Sequence, residues 1–319
     1  MQLLLAAADA PTAWETLIQC LLTGLTNGSL FALIALGYTM VYGIVELINF
    51  AHGDVFMLGS MLALTLVTAM GLDQETTGGL KIAIGLLAIM LVVSVFCAAL
   101  NLSIDRLIYK PLRTAPKLAP LVSAIGVSFV LMNVGLLWMD AADLNFPDLI
   151  PRDNLFGEQA TIQFTFKDAL VIGAIAPLMM ALTLFVKFTR MGKAMRATAQ
   201  DPIAARLMGI NVDRVIGTTF LIGGALGGAA SLIYGLYINT IGFQMGYQNG
   251  LYAFTAAVLG GIGSIPGAVL GGLMIGVVRA LGSTYGDERW TGALVFMILI
   301  ITLVFRPAGL LGRRVREKV

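Results

Sequence analysis

The sequence predicts an all-α, polytopic membrane protein. It has about seven full transmembrane helices plus a broken or re-entrant helical hairpin, in one transmembrane domain over residues 1–319. Three observations predict this. Apolar residues make up 58% of the chain and charged residues 12%, about half the charged share of an ordinary soluble domain. Mean hydropathy is +0.89. Apolar runs long enough to cross about 30 Å of hydrocarbon recur along the whole chain. The net charge of +2 is too small to argue for nucleic acid.

Taken in order, the runs lie near 17–43, 48–70, 82–104, 118–139, 169–187, 215–238 and 291–306. The stretch before them, MQLLLAAADAPTAWE, lacks the basic segment of a signal peptide and reads as an N-terminal tail. A further apolar region, 250–282, is long but is interrupted by GGIGSIPG at 260–267. Lys and Arg orient the chain, because they gather on the cytoplasmic side. Arg106, Lys110, Arg113 and Lys117 fill one loop, and Lys187, Arg190, Lys193, Arg196, Arg206 and Arg214 fill another. Arg306, Arg313, Arg314, Arg316 and Lys318 close the chain. The intervening loops are acidic or mixed: Asp73 and Glu75; Asp140, Asp143, Asp148, Asp153 and Glu158; Asp287 and Glu288. The map that follows has an external N-terminus, a cytoplasmic C-terminus, an external loop at 140–168 and a cytoplasmic loop at 187–214.

On this map 250–282 must enter and return, and its glycine-rich centre permits two short helices or a re-entrant hairpin. The pair 17–43 and 48–70 makes the same excursion around GIVELINFAHGD. Backbone that leaves helical geometry inside a bilayer persists only where protein or a water-filled cavity covers it. Paired broken segments therefore point to a transport path, with Asn49, His52, Gly53 and Asp54 in one break and Gly260, Gly261, Gly263 and Pro266 in the other. The alternative is that 43–54 is simply a tight cytoplasmic turn. His52, the single histidine, suits an orienting hydrogen-bond partner better than a proton carrier. GGALGGAAS (223–231) and GAVLGG (267–272) carry small residues at four-residue spacing, which lets helices pack closely. In the external loop, ATIQFTFKD suggests a short strand or hairpin, either a contact surface or a solvated connector.

The loop 187–214 has a tight local grammar. Asp201 suits a helix N-cap, Pro202 the first helical position and Gly209 the left-handed residue that ends a helix. That frames a helix over 202–208, with Ile203, Leu207 and Met208 on one side and Ala204 and Ala205 beside them. Such a shape suits a knob that docks into another protein; the alternative is an ordinary basic loop. Catalytic chemistry is absent from the sequence: there is no phosphate-binding loop, no HExxH and no nucleophile elbow. Cys20 and Cys97 match no metal spacing and read as buried thiols. No cofactor or metal is expected. The few ionisable residues near the apolar runs, chiefly Glu46, Asp54, Asp105 and Arg279, sit at span ends, so energy for any pumping is expected from another subunit.

Several segments in order resemble the LivH-type permease subunit of branched-chain amino acid ABC transporters. They are GLTNGSLFALIALGYTMVYGIVELINFAHGD (24–54), YKPLRTAPKLAPLVSAIGVSFVLMN (109–133), the loop at 192–214, FTAAVLGGIGSIPGAVLGG (254–272) and FRPAGLLG (305–312). The resemblance implies a permease of the bacterial inner membrane that is not itself an enzyme. It implies pairing with a second, LivM-like permease, two ATP-binding subunits and a periplasmic substrate-binding protein. Loop 187–214 then reads as the ATPase-coupling segment, with Asp201, Pro202, Ala204, Ala205, Arg206 and Gly209 as its candidate residues. Ala204, Ala205 and Gly209 match the EAA-xxx-G motif of ABC importers in register, and Ile203 stands where that motif has Glu. Related permeases share these motifs, so urea or short amides are an alternative cargo. An ion-coupled carrier or channel is the reading from another class.

Overall fold

The computed structural model describes residues 12–45, 49–72, 78–113, 115–116, 118–157 and 160–312. Glu46, Asp73, Glu75, Lys117, Glu158, Arg313, Arg314, Arg316 and Lys318, which contribute to the charge map, lie outside the described residues. Eight helices among the described residues are long and apolar enough to cross a membrane. They are α1 (Ala13–Val45), α2 (Ala51–Ala69), α3 (Gly79–Leu112), α4 (Leu118–Met139), α5 (Phe166–Phe188), α8 (Val212–Ile238), α10 (Ile265–Tyr285) and α11 (Glu288–Phe305). Between them lie α6 (Arg190–Gln200), α7 (Pro202–Leu207) and α9 (Met245–Gly260). Two-residue strands, β1 (Leu144–Asn145) and β2 (Thr240–Ile241), pair antiparallel.

The interrupted region resolves into an antiparallel hairpin of unequal legs. α9 has 16 residues and spans about 24 Å at 1.5 Å per residue, short of the hydrocarbon thickness. α10 has 21 and is long enough to cross. The turn is narrower than GGIGSIPG, because helix continues to Gly260 and resumes at Ile265. Gly261 and Gly263 supply it with φ of +107° and +84°, values that L side chains rarely adopt. Ser264 caps α10 by accepting from the Gly267 amide at 3.2 Å, and Pro266 falls in the first turn.

Two tiers of helices follow from burial. In the most apolar window of α1 and of α2, 78% of residues are buried, against 17% for α4 and α5 and 11% for α11. The first pair is therefore interior, and the last three present apolar faces suited to lipid. Lipid is as apolar as leucine, so the interior is held by close backbone approach rather than by expulsion from water. The small-residue stripes do this work. Gly224 and Gly228 of α8 lie against Cys97 and Ser94 of α3, while Gly223 and Gly227 face Gly37 and His52. A Cβ added at Gly276 of α10 would lie 2.2 Å from the Gly28 Cα of α1. Cys20 and Cys97 are buried free thiols.

The loop 140–168 is less regular than ATIQFTFKD suggested. That stretch makes a single bridge, Thr165 to Asn154, and α5 begins at Phe166 behind a reciprocal cap between Thr165 and Asp168. The cap competes for Thr165 and stops a strand from extending. Lys167 donates to Asp148 at 2.6 Å and to Asn239 at 2.8 Å, tying the loop to the end of α8. Partial burial raises the Asp148 pKa, but hydrogen bonds from Lys167 and Arg152 outweigh it and leave the value lowered.

Candidate functional site

The loop from 187 to 214 folds as its grammar predicts, one residue shorter. Asp201 Oδ1 accepts from the Ile203 and Ala204 amides, both at 2.9 Å, so the first turn of α7 is capped. At the other end Gly209 has φ +82°, its amide reaches the Arg206 carbonyl, and the Ile210 amide reaches the Ala205 carbonyl, each at 3.0 Å. This is a Schellman closure. A six-residue helix is marginal alone, and two caps hold this one in shape. Ile203, Leu207 and Met208 are 71%, 83% and 83% exposed. Three large apolar side chains on a capped loop need a cover. Pro202, Ala204, Arg206 and Gly209 are also exposed. Ala205 differs from the expectation: it is buried against its own chain and does not belong to the outer face. The preceding α6 turns back under α5, where Arg196 donates to the Val186 and Lys187 carbonyls at the end of that helix.

A polar relay that sequence reading missed joins this loop to the first break. Arg113 donates to Asp213 Oδ1 and to Asp105 Oδ1, each at 2.6 Å, and Lys110 lies 3.4 Å from Asp213. Asp213 sits in the first turn of α8, just after α7. Asp105 opens a π-helical turn, Asp105–Tyr109, in α3. At the far side of that turn Tyr109 Oη donates to Asn49 Oδ1 at 2.8 Å. Asn49 Nδ2 donates to Asn101 at 3.1 Å, and Asn101 donates to the Phe220 carbonyl at 2.7 Å. Arg113 and Asp213 are 100 positions apart, and no local pattern pairs them.

Within NFAHGD only Asn49 and Phe50 precede the helix: α2 begins at Ala51, so His52, Gly53 and Asp54 are already helical. Asn49 therefore serves side chains of α3 rather than freed amides. Asp54 accepts from Ser128 of α4 in a fully buried setting, and its other oxygen has no hydrogen-bond partner among the described residues. The His52 ring stands edge-on to Tyr38, centroids 4.8 Å apart. A Cβ at Gly37 would come within 2.3 Å of His52 Nε2, so glycine there makes room for the ring.

The two breaks meet. A Cβ on Gly43 would lie 2.8 Å from the Gly263 Cα, and Asn49, Tyr42 and Ile262 line one small crevice. The C-terminal segment FRPAGLLG closes over the same place. The Leu310 and Leu311 amides donate to the Leu259 and Gly260 carbonyls, each at 2.9 Å, satisfying the open end of α9. Of the glycine turn, Ile262 shares the crevice with Asn49 and Gly263 meets Gly43, while Gly260 packs on Gly267 and Gly261 on Gly312; His52, Gly53 and Asp54 lie in the first turn of α2. Gly53 backs onto Gly246 and Gly250 of α9.

Interior helices held by glycine contacts, two apposed helix breaks and an apolar knob on a basic loop define a membrane transport permease. The chain belongs to the family described as "Branched-chain amino acid transport system / permease component", whose model matches residues 20–303. It is 43% identical over 307 residues to the high-affinity branched-chain amino acid transport system permease protein BraD of Pseudomonas aeruginosa, covering 95% of this chain and 98% of that one. It is 41% identical over 304 residues to the corresponding permease protein LivH of Escherichia coli K12, covering 95% and 97%. LivM, another permease protein of the E. coli system, is 27% identical over 144 residues, 43% of this chain and 33% of that one. No solved structure matches.

Proposed function

We propose that this chain is the membrane-spanning permease subunit of an ABC importer for branched-chain amino acids. In this reading it pairs with a LivM-like permease, and two ATP-binding subunits drive it. A periplasmic substrate-binding protein delivers the cargo, and the complex resides in a bacterial inner membrane. The observation that supports this most directly is α7: a doubly capped helix whose Ile203, Leu207 and Met208 are left uncovered by the described residues suits a groove in an ATPase. The relay through Asp213, Arg113 and Tyr109 then supplies a contiguous route from the docked knob to the two breaks. Their apposition suits a gate at the cytoplasmic end of the path.

The test is reconstitution. Labelled leucine should accumulate in proteoliposomes only when the partner permease, ATPases, binding protein and ATP are all present. Uptake by this chain alone without ATP would replace the reading with a carrier or channel. Excess urea or acetamide abolishing leucine uptake would move the cargo to short amides.

The orientation is a second expectation, motivated by the Lys and Arg distribution. In a Cys20→Ala, Cys97→Ala background, Phe156→Cys should react with an impermeant thiol reagent added from outside. Met208→Cys should react only from the cytoplasmic side. The reverse pattern would invert the map.

A further inference from the structure

Arg279 is the one charged side chain of α10, about 9 Å along the helix from its Tyr285 end at 1.5 Å per residue. Its guanidinium carbon lies 4.5 Å from the Tyr252 ring centre and 5.4 Å from that of Phe31, so two aromatic rings hold it. Such stacking steadies a cation but does not neutralise it. Among the described residues no carboxylate lies within salt-bridge distance of Arg279 and its Nε has no hydrogen-bond partner. An arginine kept in a membrane helix without a direct ion pair is costly, and its fork is open to a carboxylate.

The space beside it is polar and carries charge of both signs, as a zwitterion requires. A cavity of about 490 Å³ opens at the end of the molecule opposite the basic loops, lined by Glu15, Gln19, Asn27, Arg279, Ser283 and Glu288 among others. Its position is fixed by the external loop. Gln19 donates to the Gln163 carbonyl at 3.1 Å and accepts from the Gln163 amide at 2.8 Å, which brings Thr161 over the cavity. Hydroxyl and amide groups dominate the lining, and the guanidinium is the cation among them. We infer that this cavity receives the carboxylate of the cargo, with Arg279 as the anchoring group and Glu15 and Glu288 available to the cargo's ammonium. Arginine suits the task because its planar fork matches a carboxylate in two hydrogen bonds. The inference rests on the amino-acid permease reading for the identity of the cargo, but not for the chemistry of the site.

The experiment uses the assembled complex with Ser283→Cys as a reporter in the Cys20→Ala, Cys97→Ala background. Reaction rates are measured with an anionic and a cationic methanethiosulfonate. Leucine, 4-methylvalerate and 3-methylbutylamine, which share a branched chain, are then tested as protectants. The two carboxylates should slow labelling more than the amine does, because the amine lacks the group that Arg279 anchors. Arg279→Gln should abolish that protection and lower the anionic-to-cationic rate ratio by about fivefold. Arg279→Lys should keep the ratio and weaken protection, since a point charge lacks the fork. Equal protection by the amine, or protection that survives Arg279→Gln, would overturn the site. The amine comparison needs no substitution at Arg279, so a misfolded variant does not decide the matter. Leucine uptake without carboxylate protection overturns the site and leaves the permease reading standing. Carboxylate protection without leucine uptake does the opposite.

Discussion

Leucine at position 263 is expected to reduce leucine uptake at least tenfold while the complex still assembles. Gly263 has φ +84°, a conformation that costs an L side chain about 1–2 kcal/mol. Its added Cβ would lie 3.4 Å from the Gly43 Cα, so the branched end must push the end of α1 away from the hairpin. The helices themselves pack elsewhere, through Gly28 against Gly276 and Gly271 against Ala256, so folding is preserved. Asn49→Ala acts on the same place from the other side. It strips Tyr109 Oη and Asn101 Oδ1 of a buried partner, at about 1–3 kcal/mol for each group left unpaired. Uptake by reconstituted complex, measured beside subunit co-purification and basal ATP hydrolysis, checks both. Normal uptake in the two variants would sink the view that the apposed breaks gate the path.

Much of this fold was legible because a bilayer imposes length and polarity on each element. Apolar runs located the spanning helices, and Asp201, Pro202 and Gly209 located α7 to within one residue, because each occupies a cap position few other residues fill well. The glycine turn at 261–264 was legible for the same reason, although its extent was overstated at both ends. Helix persists through glycine when a neighbour covers it, as Gly267 covers Gly260. What stayed hidden was long-range. The Arg113 bridge to Asp213, the Tyr109 contact with Asn49 and the Ser128 bond to Asp54 join positions 100, 60 and 74 apart. No local period reports such pairs. FRPAGLLG was visible as a family segment, but its use as the cap of α9 depends on where the chain end returns. Ala205 was placed on the wrong face because six residues define a helix phase too poorly to tell one side from the other.

Aspartate at Leu207 is expected to uncouple the complex without harming the permease. The side chain is 83% exposed and makes no core contact, so the intrinsic stability change should stay within about 0.5 kcal/mol, as for other surface substitutions. Any larger effect must come from a partner that covers it. If Leu207 is an anchor in an ATPase groove, burying a carboxylate there should cost at least about 2 kcal/mol, roughly a thirtyfold loss of docking affinity. ATPase co-purification and cargo-stimulated hydrolysis should fall together, while thermal stability of the isolated permease pair stays level. Gly209→Val reaches the same end through the backbone, since a β-branched residue fits poorly at φ +82° and the closure onto Ala205 and Arg206 is lost. Ala205→Trp is the instructive contrast: its target is buried within the chain, so it should disturb the loop and the Asp213 end of the relay rather than the docking face. Level coupling in both Leu207→Asp and Gly209→Val would refute the knob. Loss in Gly209→Val alone would make the loop's shape, rather than its apolar tip, the feature that matters.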